Sequence, residues 1–358
     1  MQLEIRAGLH ERVDSPCSLR VRGLESGGYL LKDVESGVLY PAQLSRGVLS
    51  WLVPYMRAGE VRRLELVDME PSVEMRVRDT GSELLVYSGS HLVVGYKYGG
   101  VVKPYLYPIN ASQGMSVTED GPKDHVHHRS LWVAHGDVNG VDFWSEMPGH
   151  GIIRHLEIES IDAGPVYAEV TSRNLWESPE GEELLRETRT LRVWNAYSRN
   201  WLIDLVVELE AAGDVTLGDT KEAGMIAVRV ASTITVNNGG LLLNSYGAIN
   251  EEEVWGRRAH WCDYSGPLGG GICGIAVFDH SSNPRHPTYW HARNYGLMAA
   301  NIFGLSQFTG RRGGDLSLRR GETLKFRYRV YVHRGWAWEA KVHDRYLDYL
   351  YPPRARLI

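Results

Sequence analysis

The sequence predicts an all-β protein: a large antiparallel β-sandwich preceded by a small β domain and ending in one helix. Three features of the 358 residues lead there. Apolar residues recur at every second position along most of the chain, the period of a half-buried strand. Glycine-bearing and polar turns separate these runs, leaving no room for the crossover helices of a parallel sheet. A helical spacing of apolar residues occurs once, near the C-terminus.

The first residues, 1–78, read as a small strand-rich unit, with short runs such as "GVLYPAQ", "GVLSWLV" and "AGEVRRLELVD". The charged, proline-bearing stretch "MEPSVEMRVRD" marks its end. Residues 79–358 form the large sandwich. In "NWLIDLVVELEA", Leu202, Asp204, Val206 and Glu208 alternate with Ile203, Leu205, Val207 and Leu209. "GIIRHLEIESID", "VYAEVTSRNLW", "LLRETRTLRVW", "MIAVRVASTITVN", "GICGIAVFDH" and "ETLKFRYRVYVHRG" follow the same rule. Near the end, Trp338, Val342, Tyr346, Tyr349 and Leu350 line one face of a helix. Pro352 and Pro353 stop it.

Composition excludes several classes. The chain carries 39 Lys and Arg against 44 Asp and Glu, net −5, and has no basic block, so no nucleic-acid partner is expected. Its start, "MQLEIRAGLH", lacks a basic flank followed by an apolar run, so no signal peptide is expected. The most apolar window, 266–278, is too short and glycine-rich for a membrane span. Cys17, Cys262 and Cys273 make no metal spacing and no paired framework, which fits a reducing cytoplasm.

Ionisable residues gather in the loops. "DHVHHRS" places His125, His127 and His128 within four positions, although the chain has 14 histidines in all. On an extended backbone His125 and His127 share one face and His128 takes the other. A His-x-His pair with a carboxylate can chelate a divalent metal. The same residues suit proton transfer or the gripping of a polar ligand, and a solvated turn explains them equally well. "GDTKEAG" sets Asp219, Lys221 and Glu222 between glycines: a structural ion pair or a proton-transfer cluster. "FDHSSNPRHPTYWHARNYG" offers Trp290, His291 and Arg293, and "WCDYSG" offers Asp263. Aromatic rings beside Arg, His and Asp suit polyols, whose C–H faces stack on rings while hydroxyls bond charged groups. A packed aromatic cluster with a surface Arg is the plain alternative.

In order along the chain, "KPYLYPI", "DHVHHRSLW", "VNGVDFW", "GDTKEAG", "RAHWCDYSG", "FDHSSNPRHPTYWHARNYG" and "GETLKFRYRVYVH" resemble the PmoA-like family of bacteria and archaea. The resemblance runs from about Tyr87 to Arg334. It implies work beside sugar oxidoreductases and sugar-isomerase-like proteins. The sandwich with histidine loops also resembles the galactose-mutarotase-type supersandwich, a scaffold of sugar epimerases, lyases and hydrolases.

The expectation is therefore an enzyme acting on a carbohydrate or keto-sugar by proton transfer: epimerisation, elimination or assisted hydrolysis. His127, His128 and His291 would move protons, because imidazole titrates near neutrality. Asp219 and Glu222 would be their carboxylate partners. Lys221 and Arg293 would stabilise negative charge. His125 and Asp263 would bind substrate, with Trp132, Trp144 and Trp290 as ring platforms. One alternative is a metal-dependent oxygenase or hydrolase on His125, His127 and a carboxylate; otherwise no cofactor is expected. Another is a non-catalytic carbohydrate-binding protein.

Overall fold

The computed structural model describes residues 1–67 and 69–358. Among them every strand pairing is antiparallel. The large sandwich stacks two eight-stranded sheets. The first runs, in spatial order, through strands Tyr289–Arg293, Leu297–Asn301, Ala223–Arg229, Leu131–His135, Tyr105–Ile109, His91–Lys97, Glu83–Ser88 and Met75–Asp79. The second runs through Ile152–Ala163, Tyr167–Glu177, Glu183–Trp194, Trp201–Ala211, Thr323–Arg334, Gly271–Asp279, Trp261–Leu268 and Leu241–Asn244.

Alternation decides which residues lie between the sheets. On Trp201–Ala211, Ile203, Leu205, Val207 and Leu209 turn inward and are buried; the intervening Asp204, Val206 and Glu208 face away. Leu131 and Val133 on the first sheet, and Phe326, Tyr328, Val330 and Val332 on the second, meet them in one continuous core. Each fully buried Leu, Val or Ile contributes about 1.5–3 kcal/mol.

The small domain is a seven-stranded sheet with its own core around Leu31, Leu49, Trp51 and Leu64. Its makeup differs from the 1–78 division. Strand Met75–Asp79 pairs with Glu83–Ser88 and is the edge of the large sandwich. The last strand, Arg354–Leu357, returns to pair with Gln2–Arg6. Strands this short carry too few alternations to reveal which sheet they join.

The C-terminal helix is present as Val342–Leu350, with Val342 and Tyr346 buried. It is shorter than its apolar stripe suggested. Lys341 adopts a left-handed φ of 51°, which starts the helix there. Trp338 lies before it, exposed and stacked on Trp336 at 5.6 Å. Two further short helices, Asn250–Val254 and Leu305–Thr309, sit in loops. No helix of the described residues is long and apolar enough to cross a membrane. Cys17, Cys262 and Cys273 are buried free thiols.

Candidate functional site

The outer face of the first sheet carries the residues that matter. A row of directly opposed positions crosses six strands: Lys97, Tyr105, Trp132, Ala227, Ala299 and His291. Opposed residues in an antiparallel pair project to the same side, so all six share this face. The next row sets Arg229 and Arg293 on either side of Leu297. Between Trp132 and His291 the sheet offers only small side chains, Ala227 and Ala299, with Ala134 beside them. Loops from both ends supply the rest.

The opening histidines stand over this floor. Residues 122–128 form two consecutive turns, closed by His125 N–H to Pro122 O at 3.1 Å and His128 N–H to His125 O at 3.0 Å. The segment is therefore not extended, and the face-to-face division of the histidines that alternation predicted does not hold. All three rings meet. His125 stacks on His128 at 4.6 Å and on Tyr295 at 4.7 Å; His127 meets His128 edge-on at 4.7 Å. His128 is the innermost, 1% exposed and stacked on Trp132 at 5.2 Å. Asp124 straps the loop down by accepting two bonds from Arg229 Nη2, at 2.8 and 2.9 Å. Ser130, buried with a left-handed φ of 59°, then swings the chain into the strand of Trp132.

His291 enters from the other edge. Its Nδ1 lies 2.8 Å from the carbonyl of Lys221. A carbonyl can only accept, so Nδ1 carries the proton and Nε2 presents a lone pair. Burial lowers the pKa of His291 to about 4; Glu222 opposes this, while Lys221 and Arg293 add to it. It is thus neutral near pH 7. His127 is half-buried, and burial followed by the charges of Lys103 and His125 lowers its pKa. Glu222 is near enough to act electrostatically on both His127 and His291. Burial, then its histidine neighbours and Arg229, drive His128 far below the ordinary imidazole range. Lys221 and Glu222 form an ion pair at 2.6 Å, and Arg293 pairs with Glu251 at 3.0 Å. Gly136 lets its own backbone meet that of Glu222, N–H to carbonyl at 2.7 Å: a Cβ there would lie 2.7 Å from the Glu222 carbonyl.

Three predicted residues do other work. Asp219 accepts from Ser306 N–H, Ser306 O–H and Gly314 N–H, which fixes a loop and occupies its carboxylate. Asp263 lies on the second sheet, bonded to His333 Nε2 at 2.7 Å and buried with it. Trp290 points into the inter-sheet core and donates to Ala259 O. In each case the residue type fits a site, but strand phase or loop geometry places it elsewhere. Trp132 and Trp144 belong to the site but lie beneath it, fully buried and 5.1 Å apart, so they support His128 rather than form an open platform.

Sequence reasoning missed Arg229, Tyr295, Lys103 and Glu146. Arg229 interrupts the otherwise apolar strand Ala223–Arg229, and Lys103 opens "KPYLYPI"; isolated cations in apolar runs were the available signal. Lys103 is 1% exposed and donates to Trp144 O at 2.8 Å while pairing with Glu146 at 3.0 Å. Arg229 and Arg293 both sit over the Tyr295 ring, at 5.0 and 5.8 Å. No three His, Cys, Asp or Glu side chains of the described residues are placed to hold a metal ion together.

The chain matches known proteins as follows. Residues 83–348 match the model of DUF6807, a family of unknown function. No curated protein matches. Among solved structures, a glycosyl hydrolase family 38 protein from Enterococcus faecalis aligns at 8% identity with a TM-score of 0.47. The alignment covers 99% of this chain, which spans only 47% of that protein. A galactose mutarotase-like protein from Lactobacillus casei ATCC 334 aligns at 8% identity and TM-score 0.35, over 72% of this chain and 100% of its own. Galactose 1-epimerase from Lactobacillus acidophilus NCFM gives 8% and 0.36, over 74% and 100%.

Proposed function

For this chain, which belongs to DUF6807, we propose proton-transfer chemistry on a carbohydrate or keto-sugar bound over the first sheet's outer face. The observation that carries the reading is His291, whose Nδ1 is committed to the Lys221 carbonyl while Nε2 takes no hydrogen bond from the described residues. A neutral imidazole with a fixed tautomer is a general base. His127, whose ring nitrogens are likewise unbonded among the described residues, is the second proton carrier. Lys221 and Arg293 stabilise charge developing on a carbonyl or ring oxygen. Tyr295 and His125 offer rings for the C–H face of a sugar. The resemblance of the loop motifs to PmoA-like proteins supports the same substrate class.

The test is solvent exchange. Sugars and keto-sugars incubated with the protein in D2O should take up deuterium at the carbon next to the carbonyl, read by NMR. Product analysis then separates epimerisation, elimination and hydrolysis. Tight sugar binding with neither exchange nor turnover would leave a binding protein instead.

A further inference from the structure

A second histidine cluster lies outside this group of residues, on loops beside the C-terminal helix, where the His260 ring stands 5.8 Å from that of Tyr346. His260 Nδ1 and His286 Nε2 face one another at 3.1 Å. Each ring is held on its other nitrogen. His286 Nδ1 lies 2.8 Å from Asp279 Oδ2, and His260 Nε2 lies 3.2 Å from the Tyr246 hydroxyl. Asp279 is 1% exposed and further fixed by Thr288 N–H at 2.9 Å and Asn283 Nδ2 at 2.7 Å. His260 and His286 are partly exposed, and Tyr246 and His343 beside them are exposed, so the gap is reachable from solvent.

We propose that His260 and His286 bind a divalent transition-metal ion of the zinc, nickel or copper kind, with Asp279 and Tyr246 as the outer partners that orient the rings. Two imidazole nitrogens on one tetrahedral ion at 2.0–2.1 Å stand about 3.3 Å apart. The observed pair has to open by a few tenths of an ångström, and each ring to turn so that its lone pair leaves the line between the two nitrogens and points at the ion. A metal-binding histidine ordinarily donates its other N–H to a carboxylate or another oxygen, and both rings here have that oxygen in place. Loading requires no loss of a proton. His286 already holds its proton on Nδ1, since the Asp279 carboxylate accepts it. His260 carries its proton on Nδ1, towards His286, in the metal-free pair. On binding it moves that proton to Nε2, and the Tyr246 oxygen turns from donor to acceptor. Two protein ligands leave the remaining positions to water or to His343, whose ring already lies against Trp261 Nε1 at 3.5 Å. All-nitrogen donors favour zinc, nickel, copper or cobalt over magnesium or calcium.

The site would have a mechanical consequence. His286 and Pro287 lead directly into strand Tyr289–Arg293, the edge strand of its sheet, which pairs with Leu297–Asn301 and is bridged on its other side by the segment 256–259 that leads to His260. That strand delivers His291 and Arg293 to the candidate site. An ion joining His286 to His260 would pin its entry.

The experiment is calorimetric titration of tag-free, chelator-treated protein with ZnCl2, alongside Co2+ absorption spectra. One equivalent should bind and raise Tm, with excess Mg2+ not competing. His260→Ala and His286→Ala should each weaken binding tenfold or more. Tyr246→Phe, at an exposed position and without risk to folding, should weaken it severalfold. The double variant His125→Ala with His127→Ala should leave affinity unchanged. Absence of zinc binding, or affinity indifferent to His260 and His286, overturns the proposal. So does loss of binding in the His125/His127 double variant, which would put the ion on the candidate active face.

Discussion

The two sheets of the sandwich have outer faces of similar chemistry and opposite fates. Each carries histidines, acids and arginines among aromatic rings. On the second sheet the C-terminal helix and the small domain cover the face, with Val342, Tyr346 and Leu52 packed onto Trp261, Phe278 and Tyr331. There the charged groups find partners within the protein: Asp263 with His333 Nε2 and Ser265, and Asp204 with Arg329. Gly274 leaves room for the His333 ring, since a Cβ would strike it. On the first sheet only loops cover the face. There His127, Lys221 and Glu222 remain partly exposed, and Nε2 of the buried His291 and both ring nitrogens of His127 take no hydrogen bond from the described residues. The difference teaches that residue type does not distinguish a site from a scaffold. What matters is whether an apolar layer seals the face and leaves its charged groups only protein partners.

The contrast can be broken most forcefully through stability. Asp263→Ala leaves His333 buried without its partner, and should lower unfolding free energy by about 3–5 kcal/mol in denaturant titrations. Glu222→Ala on the open face should change it by about 0.5 kcal/mol or less. Equal costs would show that both faces are scaffold.

Next comes activity. His291→Gln keeps a hydrogen bond but cannot exchange a proton, so it should reduce deuterium uptake roughly a hundredfold with the fold intact. His333→Gln should affect stability before it affects kcat. A kcat unchanged in His291→Gln would remove the proposed base.

Acid offers a third measurement. Burial lowers both His291 and His135, to about 4 each. The unfolded chain binds those protons near the ordinary value of about 6.5, before the folded protein does. Stability should therefore fall as pH drops from about 6.5 towards 4, with a slope of about 1.4 kcal/mol per pH unit for each group. The His291→Gln variant should fall less steeply. A flat profile across this window would mean that the face is wetter than its geometry indicates.

The smallest effect concerns the strap. Asp124 is 44% exposed and Asn retains an acceptor for Arg229, so Asp124→Asn should cost less than about 1 kcal/mol. It should loosen the loop, raising KM more than it lowers kcat.

Much of the architecture was legible in the sequence because strand period is local. The alternation of 201–211 assigns Ile203 and Asp204 to opposite faces without reference to anything else in the chain. The loops rich in histidine and acid were legible too, because composition is local. The way they assemble was not. His127, Glu222 and His291 come from three loops or strands far apart in sequence, and only cross-strand register brings them onto one face. Trp290 and His291 are neighbours, yet pleating sends one into the core and the other to the site. The "DHVHH" stretch follows no period, because turn hydrogen bonds rather than a ladder set its backbone.

By itself, then, the sequence determined an all-β antiparallel sandwich, its terminal helix and the residue types available for chemistry. Each follows from the spacing or composition of a short stretch. The tertiary structure alone decided that Asp263 would be sealed beneath an apolar cover and Glu222 left partly open to solvent. Burial is a property of what packs on a face, and the packing partners come from elsewhere in the chain.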